Sequence, residues 1–335
     1  MISKGCSTFM GTLCQQAEAL WREQAVSWPL LSEGISRLAE AWTRSYELDG
    51  LRITAQNNPA RAVSAGARVD AAAIAARPCF LCAPNRPPEQ RSISFGEGWV
   101  VLCNPAPIFN PHFVVARTAH EPQCIGASVE LMLDLARAFD GRYTIFYNGP
   151  RCGASAPDHL HVQAVRAAAM PFEAQLLSYL CGRSSPAGEW IEWLHSEPVR
   201  VGVTSQGRLP TVVLTGRDKG LLAKVITDIV CMIGDVHPAE PEPMLNAFAV
   251  MQDDRWVFYL FPRVAHRPAV YGTGPEELLI SPGSVDLGGL LIVPRPEDFD
   301  RLEAQQIQSL LTEVVLSADC FARLRERLAA WSPAL

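Results

Sequence analysis

Lysine is nearly missing from this 335-residue chain: Lys4, Lys219 and Lys224 are the only ones among 29 basic residues. The remaining cations are arginine, whose planar fork suits bidentate contacts to phosphate. No excess of positive charge exists either, since 35 acidic residues leave a net charge of −6. A chain without a basic field is a poor nucleic-acid scaffold. No run of about 18 apolar residues is present, so no membrane-spanning helix is expected. The first residues carry Lys4 but then interleave Cys6, Thr8, Gln15 and Gln16, which breaks any signal-peptide core. Ten cysteines are present, mostly scattered singly, a pattern of reduced thiols in a cytoplasmic protein rather than a disulfide framework. With 48% hydrophobic residues the chain can bury a sizeable core, in one large or two ordinary domains.

Residues 1 to about 48 carry a helical pattern, with Leu31, Ile35, Leu38 and Trp42 on one stripe. A helical layer over 1–55 is expected. Gln56-Asn-Asn-Pro-Ala-Arg61 breaks the pattern, and Arg61 is either a phosphate ligand or a solvated loop residue. Gly98–Cys103 and His112–Arg117 read as antiparallel strands around Asn104–Pro111. Val129, Met132, Leu133 and Ala136 mark a helix that Gly141 ends.

The richest stretch is Tyr143 to Gln163. An apolar strand (Tyr143–Tyr147) leads into a loop of Gly, Pro and Ser, followed by His159, His161 and Gln163 at alternate positions. Strand side chains alternate faces, so the three polar groups share a side opposite Leu160 and Val162. Upstream, Cys79 and Cys82 have CxxC spacing, which fits a redox dithiol, half of a zinc site, or coincidence. Pro84, Pro87 and Pro88 oppose the helix that a thioredoxin-like dithiol needs. A zinc site needs two further ligands, and His112, His120 and His159 are the candidates.

Taken together, these residues resemble the histidine-triad superfamily. The likeness is to its branch of galactose-1-phosphate uridylyltransferase, diadenosine tetraphosphate phosphorylase and nucleotide-sugar phosphorylases. His159-Leu-His161-Val-Gln163 matches that branch's His-x-His-x-Gln. Asn148 with Gly153-Ala-Ser155, the Asn104-Pro-Ala-Pro hairpin, Cys79-Phe-Leu-Cys82 with Asn85-Arg86, and Glu121-Pro-Gln123 add to the likeness, which spans about residues 56 to 166.

The resemblance implies that His161 is a nucleophile carrying a nucleotidyl group, with Gln163 bonded to that phosphate. It implies substrate contacts from Ser155 and the Gly153 backbone; Asn148 and Arg61 are further candidates for substrate binding. It also implies a structural zinc held by Cys79, Cys82, His120 and His159, while His112 is structural. Asp158 departs from the pattern as an extra residue before the histidine pair. The implied substrate is a nucleoside diphosphate sugar or dinucleoside polyphosphate, with phosphate or a sugar phosphate as acceptor. Water as acceptor (a hydrolase) and a zinc-stapled nucleotide-binding module without catalysis are the alternatives. Relatives often pair, so a homodimer is open, although no pattern marks an interface.

Beyond Gln163, helices are expected at Met170–Leu180 and Leu221–Ile233, and a Gly/Ser/Pro connector at Gly182–Gly188. A hairpin is expected at Asn246–Met251 and Trp256–Arg263, a strand at Leu290–Pro294 and closing helices over Phe299–Leu328. The expected fold is therefore α+β, an antiparallel histidine-triad-like sheet with flanking helices. A catalytic unit at 56–180 precedes a degenerate second unit at 190–335, in which Trp256, Phe258 and Leu260 stand where the histidine strand would be. Arg263 and Arg267 could reach a second phosphate or sugar, or end a strand in solvent. Cys152, in the phosphate loop, is expected to be open to alkylation.

Overall fold

The computed structural model describes residues 11–48, 50–62, 66, 71–183 and 189–332. The start of the expected first helix and residues 184–188 of the expected 182–188 connector lie outside the described residues. Thr12 caps α1 (Leu13–Ser27) through a reciprocal pair of bonds with Gln15. Pro29 opens α2 (Pro29–Ala39), where a missing N–H costs nothing.

The helical expectation through residue 48 is corrected at Trp42. Trp42–Leu48 is a strand, β1, paired antiparallel with β2 (Leu51–Asn57) across a turn in which Gly50 has φ +79°. Trp42, placed in the helical stripe by spacing alone, is 62% exposed. Thr43 and Tyr46 suit a pleated backbone, and Asp49-Gly50 in the sequence is a hairpin signal. Together these outweigh one residue's helical phase.

A short helix, α3 (Ala71–Ala75), precedes the cysteine loop. Then come β3 (Ser92–Phe95), β4 (Trp99–Cys103), β5 (His112–Arg117), α4 (Ile125–Ala138), β6 (Tyr143–Asn148) and β7 (His161–Arg166). After α5 (Pro171–Leu180) follow β8 (Ile191–His195), β9 (Val199–Thr204), β10 (Val212–Gly216), α6 (Lys219–Val236), β11 (Leu245–Gln252) and β12 (Arg255–Pro262). The chain closes with α7 (Ser284–Leu287), β13 (Leu290–Val293), α8 (Pro296–Arg301), α9 (Ala304–Val314) and α10 (Ala318–Ala330). The fold is α+β, with a large antiparallel sheet and flanking helices.

Ten strands form one sheet in the order β3-β4-β5-β7-β6-β11-β12-β10-β9-β8. The run β8-β9-β10-β12-β11 repeats the order β3-β4-β5-β7-β6, with one helix (α4 or α6) ahead of each final hairpin. The two runs meet at β6 and β11, paired antiparallel from Asn148↔Asn246 to Ile145↔Ala249. A second sheet, β1-β2-β13, joins β13 to β2 in parallel.

Alternation divides the strands between two cores. Phe113, Val115, Ile145, Val162 and Ala164 pack under α1, α2, α4, α6 and α10. Phe146, Val165, Phe248, Tyr259 and Phe261 pack beneath the small sheet, α5, α7, α8 and α9. This parity corrects the expectation for β12. Its residues on the histidine side of the sheet are Val257, Tyr259 and Phe261, while Trp256, Phe258 and Leu260 face the helices.

Candidate active site and metal centre

Strand β7 puts His161, Gln163 and Val165 on the face away from α4. Its neighbours align Ala116 with His161, and Val114 and Phe146 with Gln163. His159 stands just ahead of the strand. His161 is 5% exposed, and its Nδ1 lies 2.8 Å from the His159 carbonyl oxygen. A carbonyl only accepts, so Nδ1 carries the proton and Nε2 keeps its lone pair. Burial above all pushes this imidazole's pKa down to about 4, and the nearby His159 ring adds to the drop. At neutral pH the ring is an uncharged base with Nε2 available.

Gln163 is oriented by the same kind of reasoning. His112 is fully buried, and its Nδ1 accepts from the Ile108 N–H at 3.2 Å. The proton is therefore on Nε2, which donates to Gln163 Oε1 at 2.9 Å. The Gln163 amide nitrogen is thereby turned away from His112 and left to donate elsewhere. Burial, helped by the Arg61 cation, lowers the His112 pKa to about 3. The hairpin that supplies Ile108 rests on α2 at Gly34, where a Cβ would fall 2.3 Å from the Pro105 oxygen.

Arg61 is not a solvated loop residue. Its guanidinium donates to the Ala106 carbonyl at 3.0 Å, beside His112, and burial lowers its pKa. Asn148 is buried, with Oδ1 accepting from Asn246 Nδ2 at 2.9 Å and the Ser284 N–H at 2.8 Å. Gly153 has φ +94°, and a Cβ there would lie 2.7 Å from Gly283 Cα, so the glycine-containing loop after β6 is seated against the Gly283–Ser284 turn. Ser155 is half-buried, and its carbonyl accepts from Arg77 at 3.1 Å.

Two side expectations are corrected. Arg263 is wholly buried and donates to Asn246 Oδ1 and to the carbonyls of Val314, Pro282, Ala265 and His266, so it ties loops together rather than reaching a ligand. Cys152 is wholly buried, and its pKa is pushed up to about 11 by that burial, which makes it a poor target for alkylation.

The structure gathers Cys79, Cys82, His120 and His159, with their ligand atoms all within 4.8 Å of one another. His159 Nδ1 is 3.3 Å from Cys79 Sγ and 3.5 Å from Cys82 Sγ, and His120 Nδ1 is 3.3 Å from Cys82 Sγ. A tetrahedral ion with bonds of about 2.0 to 2.3 Å separates its ligands by roughly 3.5 Å, so the four fit a metal ion. His159 Nε2 donates to the Arg117 carbonyl at 2.7 Å, which leaves Nδ1 unprotonated toward the sulfurs. Burial raises the Cys79 pKa. His112 lies with Gln163 instead, which settles the choice among the three histidine candidates.

Asp158, the extra residue, accepts from Arg77 at 3.1 Å and lies 3.8 Å from His120 Nε2. Two surface cavities, one by His195 and Glu197 and one by Arg52 and Gln175, include none of these side chains. Gln123 was visible in the sequence only as part of the family likeness, and no local pattern showed that it contacts His161.

Residues 20–166 match the family described as Domain of unknown function (DUF4922), and residues 244–332 match the GDPGP1-like, C-terminal domain. Yeast Ap4A phosphorylase Apa2 in complex with AMP aligns with TM-score 0.60 at 15% identity, over 90% of this chain and 94% of that one. Its complex with Ap4A aligns with TM-score 0.59 at 14% identity, over 92% and 99%. The fold is histidine-triad-like. It has the arrangement of Ap4A phosphorylase along nearly the whole chain. No curated protein matches the sequence. Among the described residues, no helix is long and apolar enough to cross a membrane.

Proposed function

We propose that this chain is a nucleotidyltransferase, a phosphorylase that splits a nucleoside diphosphate sugar or dinucleoside polyphosphate through nucleotidyl-His161. The observation that carries the reading is the tautomer of His161, which leaves a buried, neutral Nε2 on the strand that follows the glycine-rich loop. Nε2 attacks the α-phosphorus, and the bond to the leaving phosphate oxygen breaks with its electron pair. An oxygen of inorganic phosphate, or of a sugar phosphate, then attacks that phosphorus, and the P–N bond pair returns to Nε2. Gln163, turned by His112, donates its amide N–H to the phosphoryl oxygens. The Ser155 hydroxyl, the Gly153 N–H, the Asn148 amide nitrogen and the Arg61 charge supply the remaining contacts.

The metal suited to two thiolates and two imidazoles is zinc. It would brace the cysteine loop against His159 and so steady His161, two residues on. Yeast Apa2, with the same fold, is solved with AMP and with Ap4A, which supports a nucleotide substrate. We also propose that 56–180 and 190–335 are related units behind the 1–55 segment, supported by the repeated strand order. The second would have no catalytic role, with Val257, Tyr259 and Phe261 on its corresponding face. A cytoplasmic location and homodimer formation belong to the same reading.

A panel of nucleotide sugars and dinucleoside polyphosphates, incubated with and without inorganic phosphate, tests this. The expected result is phosphate-dependent release of a nucleoside diphosphate and an acid-labile nucleotidyl mass on the peptide containing His161. His161→Ala should abolish both. Turnover retained by that variant would overturn the reading, and turnover indifferent to phosphate would make the enzyme a hydrolase.

A further inference from the structure

The β6–β7 ladder stops at the pair Phe146↔Gln163. Carried two residues further in the same antiparallel register, it would pair Asn148 with His161. That pair does not form, because the side chain of Gln123 lies between the two strands. Its Oε1 accepts from the His161 N–H at 2.9 Å, and its Nε2 donates at 2.9 Å to both the His161 and the Asn148 carbonyls. The two backbone groups of His161 that a ladder would use are thus met by an amide from another segment. Gln123 is 2% exposed, and its own N–H donates to the Pro157 carbonyl at 2.9 Å. Its side-chain amide spans the end of β6 and the start of β7, and its backbone holds the loop between them.

The spacing has a consequence for the site. A closed 148↔161 pair would hold those two Cβ atoms about 5 Å apart on one face. Without that pair, the spacing between the His161 ring and the Asn148 amide is set by Gln123 instead. An inserted amide separates the strands while leaving neither His161 N–H nor C=O unsatisfied, which a bare opening of the sheet would do at a cost.

We propose that Gln123 is a positioning residue, a polar wedge that holds the sheet open at His161 and fixes the distance between His161 and the Asn148 end of the phosphate loop. The proposal rests on the reading of His161 as the nucleophile. Gln123 touches the backbone of His161 and not the reacting atoms, so it acts on the rate of phosphoryl transfer rather than on nucleotide affinity. A displacement of the order of 1 Å at a reacting group lowers rates about 100-fold.

Two variants test it. Gln123→Met keeps the length and removes the three side-chain bonds; Gln123→Ala also removes the spacer and frees the strands to close. With folding verified by circular dichroism and melting, the single-turnover rate of adduct formation on His161 should fall roughly 100-fold in each, with KM little changed. Hydrogen exchange at the His161 amide should accelerate in Gln123→Met, whereas amides inside β5 and β7 keep their protection. Adduct formation at the wild-type rate in a folded Gln123→Met would overturn the wedge and leave the nucleophile standing. No adduct in the wild type, with any substrate, would overturn both. Should neither variant fold, the wild type decides: a His161 amide as protected as Ala164 supports the wedge, and a fast-exchanging one overturns it.

Discussion

Glu173, in the first turn of α5, is wholly buried, and the Thr144 hydroxyl on β6 donates to its carboxyl. Burial pushes its pKa from 4.5 up to about 7, with the Thr144 bond pulling part of the way back. The folded state therefore holds a proton that the unfolded chain releases between pH 4.5 and 7. Across that window the unfolded state binds fewer protons, so stability falls with rising pH. The stabilisation is complete below pH 4.5 and gone above about pH 7. At about 1.4 kcal/mol per unit, the difference amounts to roughly 3 kcal/mol. Glu173→Gln keeps the size and the acceptor for Thr144 but cannot ionise. Relative to the wild type, it should be level near pH 4.5 and gain roughly 3 kcal/mol by pH 8, or on the order of 5 °C in Tm. Melting both proteins from pH 4.5 to 8 makes the comparison, and other titrating groups cancel in the difference. A gap that does not widen with pH, or that widens in favour of the wild type, would refute the argument.

Two further outcomes concern the metal centre. Chelation should remove about one zinc equivalent per chain and lower Tm; a free ion at 1,000 times its Kd stabilises the fold by about 4 kcal/mol. Elemental analysis with melting checks this, and a metal-free protein of equal stability would rule the ion out. Asp158→Asn should weaken zinc binding 10- to 100-fold, or about that, because a carboxylate behind a ligating histidine fixes the ring and raises its basicity. Competition with a chromogenic chelator measures it, and an unchanged Kd would leave Asp158 as a partner of Arg77 alone.

Local chemistry decided a good part of this protein in advance. His159, His161 and Gln163 at alternate positions, and the two cysteines at CxxC spacing, define their groups within a few residues, because period-two alternation and tight turns are short-range properties. The strands around Asn104–Pro111, the helix at 125–138 and the 245–262 hairpin follow from the same short-range patterning. The hairpin β1–β2 carries its signal in Asp49-Gly50, against the helical stripe, but β3 and β8 to β10 did not show: each pairs with a strand only a short loop away, yet local β-propensity is weak until the sheet packs it. The parity of β12 was lost for a related reason: a one-residue shift exchanges its two faces, and only the neighbouring strands fix it.

What folding alone decided is which distant groups meet. His120 joins the cysteines while His112 turns Gln163, a choice made by strand register and not by residue type. Arg61 and Arg263 look alike in sequence as loop cations, yet the first lies beside His112 and the second is locked among carbonyls. Gln123 stands 38 residues from His161 and meets its backbone with both ends of one amide. A sequence specifies hydrogen-bonding groups one by one, but burial leaves each only the partners that the closed sheet brings within about 3 Å.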